Sequence, residues 1–376
     1  MAEEELSVTD TILVLPGEGI GPEVITEAVK VLEWFIKAEE LDLKLEIASY
    51  GVSCYNENGV LITADTLSRI ADSTAVLFGA TGGPEFDAIP AEVRSKGNLL
   101  AIRQRMSVYA NLRPVVAYRE LEDVSPIKNE VARDADIIVV RELNGGIYFG
   151  EPRGDSVNGG GADQSINTLV YSIGEIERVA RVAFGLARER KGIVHSVDKS
   201  NVLETYKLWR DVVSRVGANE FPEIELNHIL VDNCTLQIVR DPRQFDVILA
   251  DNMIGDILSD LAGALTGSLG MLPSASLNQS ETTSTGRSLY EPVHGSAPDI
   301  AGRGIANPIG AILSVGLMME HSLGKRGLNQ LLKKAVSGVL GIGVRTSDIA
   351  SNETDSVSTV EMGQEIISAL ERLHKN

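Results

Sequence analysis

Asp256 and Asp260 stand four residues apart in DNMIGDILSD, directly after the apolar run FDVILAD. On a helix that spacing puts both carboxylates on one face. Oxygen donors of this kind suit a hard divalent cation, and Mg2+ commonly takes one or two carboxylates together with substrate oxygens and water. A blander job for Asp256 is to complement the dipole of the helix's first turn, with Asn252 as the cap. That leaves Asp260, beyond the first turn, without a reason. A third acid, Asp232, closes the run HILVD, and α/β proteins gather ligands at the carboxyl ends of their strands.

Cationic groups supply the complement. Arg103, Arg113 and Arg141 each fall near a turn or a strand end. One such arginine is ordinarily a surface ion-pair partner. Three suit a substrate with two carboxylates, because the guanidinium fork matches that group bidentately. Lys199 follows GIVHSVD, where Asn201 and Glu204 are spaced as a capping box for the next helix. Tyr148, in GGIYFGEPRG, can either pack as an amphipathic aromatic or donate a proton. The glycine cluster LPGEGIGPEV lies between a strand and a helix, where backbone N–H groups can face a phosphate. Its glycines are Gly17, Gly19 and Gly21, and Pro22 takes the place of the third glycine of G-x-G-x-x-G, so the Rossmann fingerprint fails. A tight turn with Pro22 opening the helix is the alternative.

The elements that must position these groups alternate in type. Short β-branched runs (TILVL, AVLFGA, ADIIVVREL, GIVHSVD, HILVD, FDVILAD) are separated by helical patterns, such as Glu23 to Ala38 with Val24, Ala28, Val31, Leu32 and Phe35 at helical spacing. Apolar strands between helices predict an α/β fold with mostly parallel sheets covered on both faces. Residues 145–167 are too rich in glycine and polar side chains for a core element and read as a protruding hairpin or arm. Residues 278–288 are polar and read as a surface loop. At 376 residues the chain exceeds one hydrophobic core, so two domains are expected.

A net charge of −19 repels polyphosphate backbones and argues against nucleic acid as a partner. Cys54 and Cys234 form no C-x-x-C pair, so neither a disulfide framework nor a thiolate metal site is indicated. Glu3 to Glu5 stand where a secretory signal would be basic, and no apolar run reaches the ~20 residues of a membrane span. These features predict a soluble, cytoplasmic protein with no membrane partner.

Together the blocks LPGEGIGPEV, LFGATGGPEFD, GNLLAIR, YANLRP, VVRELNGGIYFGEPRG, SVDKSNVLE, QFDVILADNMIGDILSD and EPVHGSAPDIAGRGIANP resemble the β-decarboxylating dehydrogenases of 2-hydroxy acids, the isocitrate/isopropylmalate dehydrogenase type. The resemblance covers nearly the whole chain. It implies that family's two-domain fold rather than a Rossmann fold, with a discontinuous cofactor domain (1–108 plus 269–376) and a substrate, metal and dimerisation domain (109–268). It implies NAD-dependent oxidation and β-decarboxylation of a small dicarboxylate, 3-isopropylmalate in leucine biosynthesis. Arg103, Arg113 and Arg141 would bind the carboxylates, with Leu99 and Leu100 facing the alkyl substituent. Asp232, Asp256 and Asp260 would hold Mg2+ or Mn2+, and Lys199 and Tyr148 would be the acid/base pair. Lys199, Asn201 and Asp232 would come from the second subunit of a homodimer. Ile20, His294, Gly295, Ser296, Ala297, Asp299 and Asn307 would bind the cofactor, with Asp299 on the ribose hydroxyls favouring NAD over NADP. Lys96 and Gly97 stand where many relatives carry a glutamate, so another 3-substituted malate remains an alternative, as does an inactive regulatory subunit.

Overall fold

The computed structural model describes residues 10–157, 162–278, 287–351 and 355–375. The acidic stretch Glu3 to Glu5, residues 158–161 of the expected arm and 279–286 of the expected loop lie outside the described residues. In chain order the strands are β1 (Asp10–Gly17), β2 (Leu43–Ile47), β3 (Ala75–Ala80), β4 (Ala110–Val116), β5 (Asp136–Glu142), β6 (Gly150–Val157), β7 (Ala162–Thr168), β8 (Ile193–Asp198), β9 (Glu225–Leu230), β10 (Val247–Ala250), β11 (Pro273–Leu277) and β12 (Ser288–Pro292). The chain divides into two compact units, Met1–Met106 with Gly270–Asn376, and Ser107–Leu269.

In the first unit the strands run β2-β1-β3-β12-β11, parallel except for the antiparallel pair of β11 and β12. All six residues of AVLFGA are buried, as a strand covered on both faces requires. The helix Gly21–Ala38 begins two residues before the expected Glu23, with Pro22 in its first turn. Its predicted face (Val24, Ala28, Val31, Leu32 and Phe35) is fully buried, at about 1.5–3 kcal/mol for each large side chain. A Val31→Asp change would bury a carboxylate without a partner and break this face. The helix Ile309–His321 is apolar all round and buried along Ile309 to Met319, which makes it the centre of this core.

The second unit runs β4-β5-β10-β8-β9, with β4 antiparallel to β5 and the other pairs parallel. Its register places the chemistry: Asn111 of β4 lies opposite Arg141 of β5, and Arg141 is matched on its other side by Ala250 of β10. Arg113, two residues from Asn111, shares its face of the sheet. The helix Asn252–Gly263 then starts one residue after β10 and its N-cap Asp251. Phe184 and Trp209, on the covering helices Ile173–Arg188 and Glu204–Glu220, are fully buried, and Trp209 Nε1 donates to Ser196 Oγ at 3.2 Å. The expected arm contains an antiparallel hairpin of β6 and β7.

Candidate active site

Helix Asn252–Gly263 packs against β5 at a close approach that only a glycine permits, since a Cβ on Gly255 would lie 2.8 Å from the Cβ of Arg141. The helix thereby lays Asp256 and Asp260 beside the two arginines of the sheet. Arg141 Nη1 donates to Asp256 Oδ1 at 2.5 Å, and Arg113 Nη2 lies 3.2 Å from the same oxygen. Arg113 Nη1 reaches Asp260 Oδ1 at 3.3 Å and Ser259 Oγ at 2.7 Å, while its Nε donates to Asn111 Oδ1 at 2.9 Å. Tyr148, in a short 3-10 turn after β5, donates from its hydroxyl to Asp256 Oδ2 at 3.5 Å. The structure thus gathers five of the predicted residues: Arg113, Arg141, Tyr148, Asp256 and Asp260.

Burial within this cluster is graded. The side chains of Arg113 and Arg141 are 9% and 4% exposed, whereas those of Asp256 and Asp260 are 36% and 56% exposed. Fixed cations therefore sit at the base and carboxylate oxygens at the rim. Partial burial raises the Asp260 carboxyl above its ordinary range; Arg113 opposes that shift, and the neighbouring charge of Asp256 adds to it. Two rim carboxylates that repel each other, with oxygen as the only donor atom, fit a hard divalent cation. Tyr148 is also held above the ordinary phenol range, first by burial and then by Asp256, which keeps its proton available.

Lys199 and Asp232 meet each other instead, Nζ to Oδ1 at 2.6 Å, on a more exposed part of the same unit. Lys199 lies just past β8 in a turn, with the N–H groups of Val202 and Leu203 donating to its carbonyl. The expected capping box is absent here: the helix starts at Glu204, its N-cap is Leu203 with no side-chain cap, and Asn201 remains in the preceding turn. Asp232 does not end a strand; β9 stops at Leu230 and Asp232 stands in the first turn of the helix Val231–Arg240. Among the described residues of one chain, no three His, Cys, Asp or Glu side chains group as metal ligands, so Asp232 does not join Asp256 and Asp260 within the chain.

In the first unit Arg103 is buried and ion-paired with Glu291 at the end of β12. Leu99 and Leu100 open the same short helix, Leu99–Arg105, and Asn98 accepts from Ala101 N to start it. The expected cofactor segments meet: Ile20 N donates to the Ser296 carbonyl at 2.9 Å. Gly19 has φ +59°, and a Cβ on it would stand 2.0 Å from that carbonyl oxygen. Glu23 accepts from the N–H groups of Gly302 and Gly304, which fixes the loop after Asp299. His294 Nδ1 meets the Gly295 carbonyl oxygen at 2.9 Å, while its Nε2 is buried with no hydrogen-bond partner, a polar atom that a cofactor hydroxyl or amide would satisfy. Gly295 has open space around its Cβ position, Ala297 adopts φ 39°, and Asp299 is exposed. Asn307 is buried, its amide bonded to Asp348, Met271 and Ile309 N.

Sequence reasoning missed Glu291, Ser259 and Asn111, and read Asn252 only as a cap. Glu291 carries the clearest signal, an acid ending a strand directly before the loop of His294.

Residues 11–366 match the sequence model of the isocitrate/isopropylmalate dehydrogenase family. The chain belongs to that family. It is an enzyme, a dehydrogenase of the β-decarboxylating kind. Among its relatives, the protein named 3-isopropylmalate dehydrogenase 1 of Bradyrhizobium diazoefficiens is 48% identical over 368 residues, covering 98% of this chain and 97% of the relative. The 3-isopropylmalate dehydrogenase of Pseudomonas fluorescens is 49% identical, covering 96% and 99%. Among solved structures, the isocitrate dehydrogenase of Methylococcus capsulatus aligns with a TM-score of 0.84 at 30% identity, covering 96% of this chain and 99% of that one. A β-decarboxylating dehydrogenase of Thermococcus kodakarensis, in its apo form, aligns with a TM-score of 0.78 at 35% identity, covering 97% of each. Among the described residues no helix is long and apolar enough to cross a membrane.

Proposed function

We propose that this family member oxidises 3-isopropylmalate with NAD+ and decarboxylates the product to 4-methyl-2-oxopentanoate, a step of leucine biosynthesis. Near-full-length similarity to relatives of that name supports the reading. The observation that carries it furthest is the convergence of Arg113, Arg141, Asp256, Asp260 and Tyr148. Arg113 and Arg141 hold the substrate's carboxylates through their guanidinium forks. Asp256 and Asp260, with Asp232 of a second subunit, are the residues that would hold Mg2+ or Mn2+. Ile20, the loop of His294 to Asp299, and the backbone of Asn307 are those that would hold NAD. When bound, NAD+ accepts the hydride from C2 and the divalent cation offsets negative charge on the C2 oxygen. Lys199 takes the hydroxyl proton as the hydride leaves. The bond from C3 to its carboxylate then breaks, carbon dioxide departs, and the electron pair forms an enolate opposite the fixed arginine charges. Tyr148 returns a proton to C3. The first unit is the cofactor domain and the second the substrate and metal domain in this reading.

Lys199, Asn201 and Asp232 belong to the partner's site in the proposed homodimer. Exposed apolar side chains flank them: Val202 and Leu203 beside Lys199, and Leu236 and Val239 on the helix of Asp232. Ile257, next to Asp256, is exposed as well. An apolar surface of this kind beside a half-assembled polar site favours coverage by a second copy. The test is direct: purified protein with Mn2+ and NAD+ forms NADH from 3-isopropylmalate, and does so with a higher kcat/KM than from malate, isocitrate or bulkier 3-substituted malates. Absence of NADH would overturn the reading, and preference for another analogue would change its substrate.

A further inference from the structure

The residue that binds the cluster together is one that neither touches a carboxylate nor titrates. Asn252 is 1% exposed and opens the helix of Asp256 and Asp260. It is not the cap, since Asp251 accepts from Ile254 N at 2.7 Å and fills that role. The Asn252 side chain faces inward. Its Oδ1 accepts from Arg141 Nε at 3.1 Å and Nη2 at 2.8 Å, and its Nδ2 donates to the carbonyls of Leu143 at 3.0 Å and Gly145 at 3.3 Å. Its backbone N–H donates to Tyr171 Oη at 3.0 Å, and the Tyr171 ring packs over Gly145 and Gly146 at the start of the Tyr148 turn. Glu142 secures that turn from the other side, accepting from Asn144 N and Gly145 N.

We propose that Asn252 is a positioning residue for substrate binding, one that orients Arg141 without neutralising it and fixes the turn of Tyr148 in the same act; the proposal rests on the dehydrogenase reading above. An amide oxygen accepts both N–H groups on one edge of the guanidinium, as a carboxylate would, yet carries no charge. Arg141 is therefore held in one orientation with no negative charge added beyond that of Asp256 on its other edge. Arg103 likewise has a carboxylate partner, Glu291, and Arg141 differs in the neutral amide that holds its second edge. The amide's two donor hydrogens bond the carbonyls of the buried residues Leu143 and Gly145. Aspartate at this position would keep the shape and the acceptor but cancel the charge and lose both donors.

The experiment measures KM for substrate, KM for NAD+, kcat and Tm in the Mn2+-loaded wild type, Asn252→Asp and Asn252→Ser. The expected result is a tenfold or greater rise in substrate KM for Asn252→Asp and a smaller rise for Asn252→Ser, with KM for NAD+ within twofold of wild type in both. Substrate KM within twofold of wild type in either folded variant, or an equal rise for substrate and NAD+, overturns the proposal. Failure of both variants to fold overturns it too, because the amide would then serve the fold alone. A wild type that forms no NADH defeats the functional reading rather than this one.

Discussion

The second unit holds two sets of oppositely charged side chains that differ in every physical respect. In one, Arg113 and Arg141 are almost wholly buried and are held by Asn111, Ser259 and Asn252 before any carboxylate is counted. In the other, Lys199 and Asp232 are 31% and 65% exposed and pair with each other alone at 2.6 Å. The first is preorganised, because neutral partners within the sheet and helix fix its arginines in addition to Asp256 and Asp260. The second is a solvent-exposed pair in a high-dielectric setting, worth little to stability. The difference teaches that one chain fixes the arginines of its cluster within sheet and helix but leaves Lys199 and Asp232 exposed, as the dimer proposed above requires.

The largest expected effect breaks the comparison at its exposed end. Lys199→Ala should lower kcat by about 10² to 10⁴, the usual worth of a positioned base, while leaving Tm at the wild-type value. A stability loss comparable to the activity loss would show that the pair is structural. Next is Arg141→Lys at the buried end. A lysine cannot reproduce the fork on Asn252 and Asp256, so both substrate KM and thermal stability should suffer, the latter by about 1–3 kcal/mol. Calorimetry with unchanged Tm would contradict the preorganised base.

A smaller effect separates the two regions by pH. His195 on β8 and His228 on β9 lie on the strands that lead to Lys199 and Asp232, and burial holds both imidazoles below their ordinary pKa of 6.5. Their folded pKa is depressed, so the folded state favours the neutral rings. The stability they contribute is present above about pH 6.5 and is lost as the pH falls below it. The nearer partners are Glu225 and Asp246 around His195, and Arg210, Asp198 and Asp211 around His228. Hydrogen exchange at pH 5.5 should therefore accelerate in β8 and β9 relative to β5 and β10, once corrected for intrinsic rates. Uniform acceleration would remove the distinction.

Much of this was legible in the chain. The α/β class followed from apolar runs between helical patterns, and the i, i+4 spacing of Asp256 and Asp260 placed them on one helical face. What escaped did so for identifiable reasons. The strand LKLEI was passed over because charged residues alternate with its leucines, giving an edge strand only half buried. Asn252 read as a cap because Asn and Asp both cap helices, and the neighbouring Asp251 took the position. Its true partners, Arg141 and Leu143, are more than a hundred residues away, where local spacing carries no information. Asn201 and Glu204 read as a capping box from their spacing alone, yet the chain turns at 199–203 before the helix begins.

The two regions are joined in one reaction only if they come from different subunits, and mixing inactive variants tests this. Lys199→Ala keeps the buried cluster, and Asp256→Asn keeps the lysine. Random reassembly of the two gives dimers of which about half are mixed, each with one intact site, so roughly a quarter of wild-type activity should return. Mixed dimers demonstrated by mass spectrometry but showing no recovered activity would contradict the account.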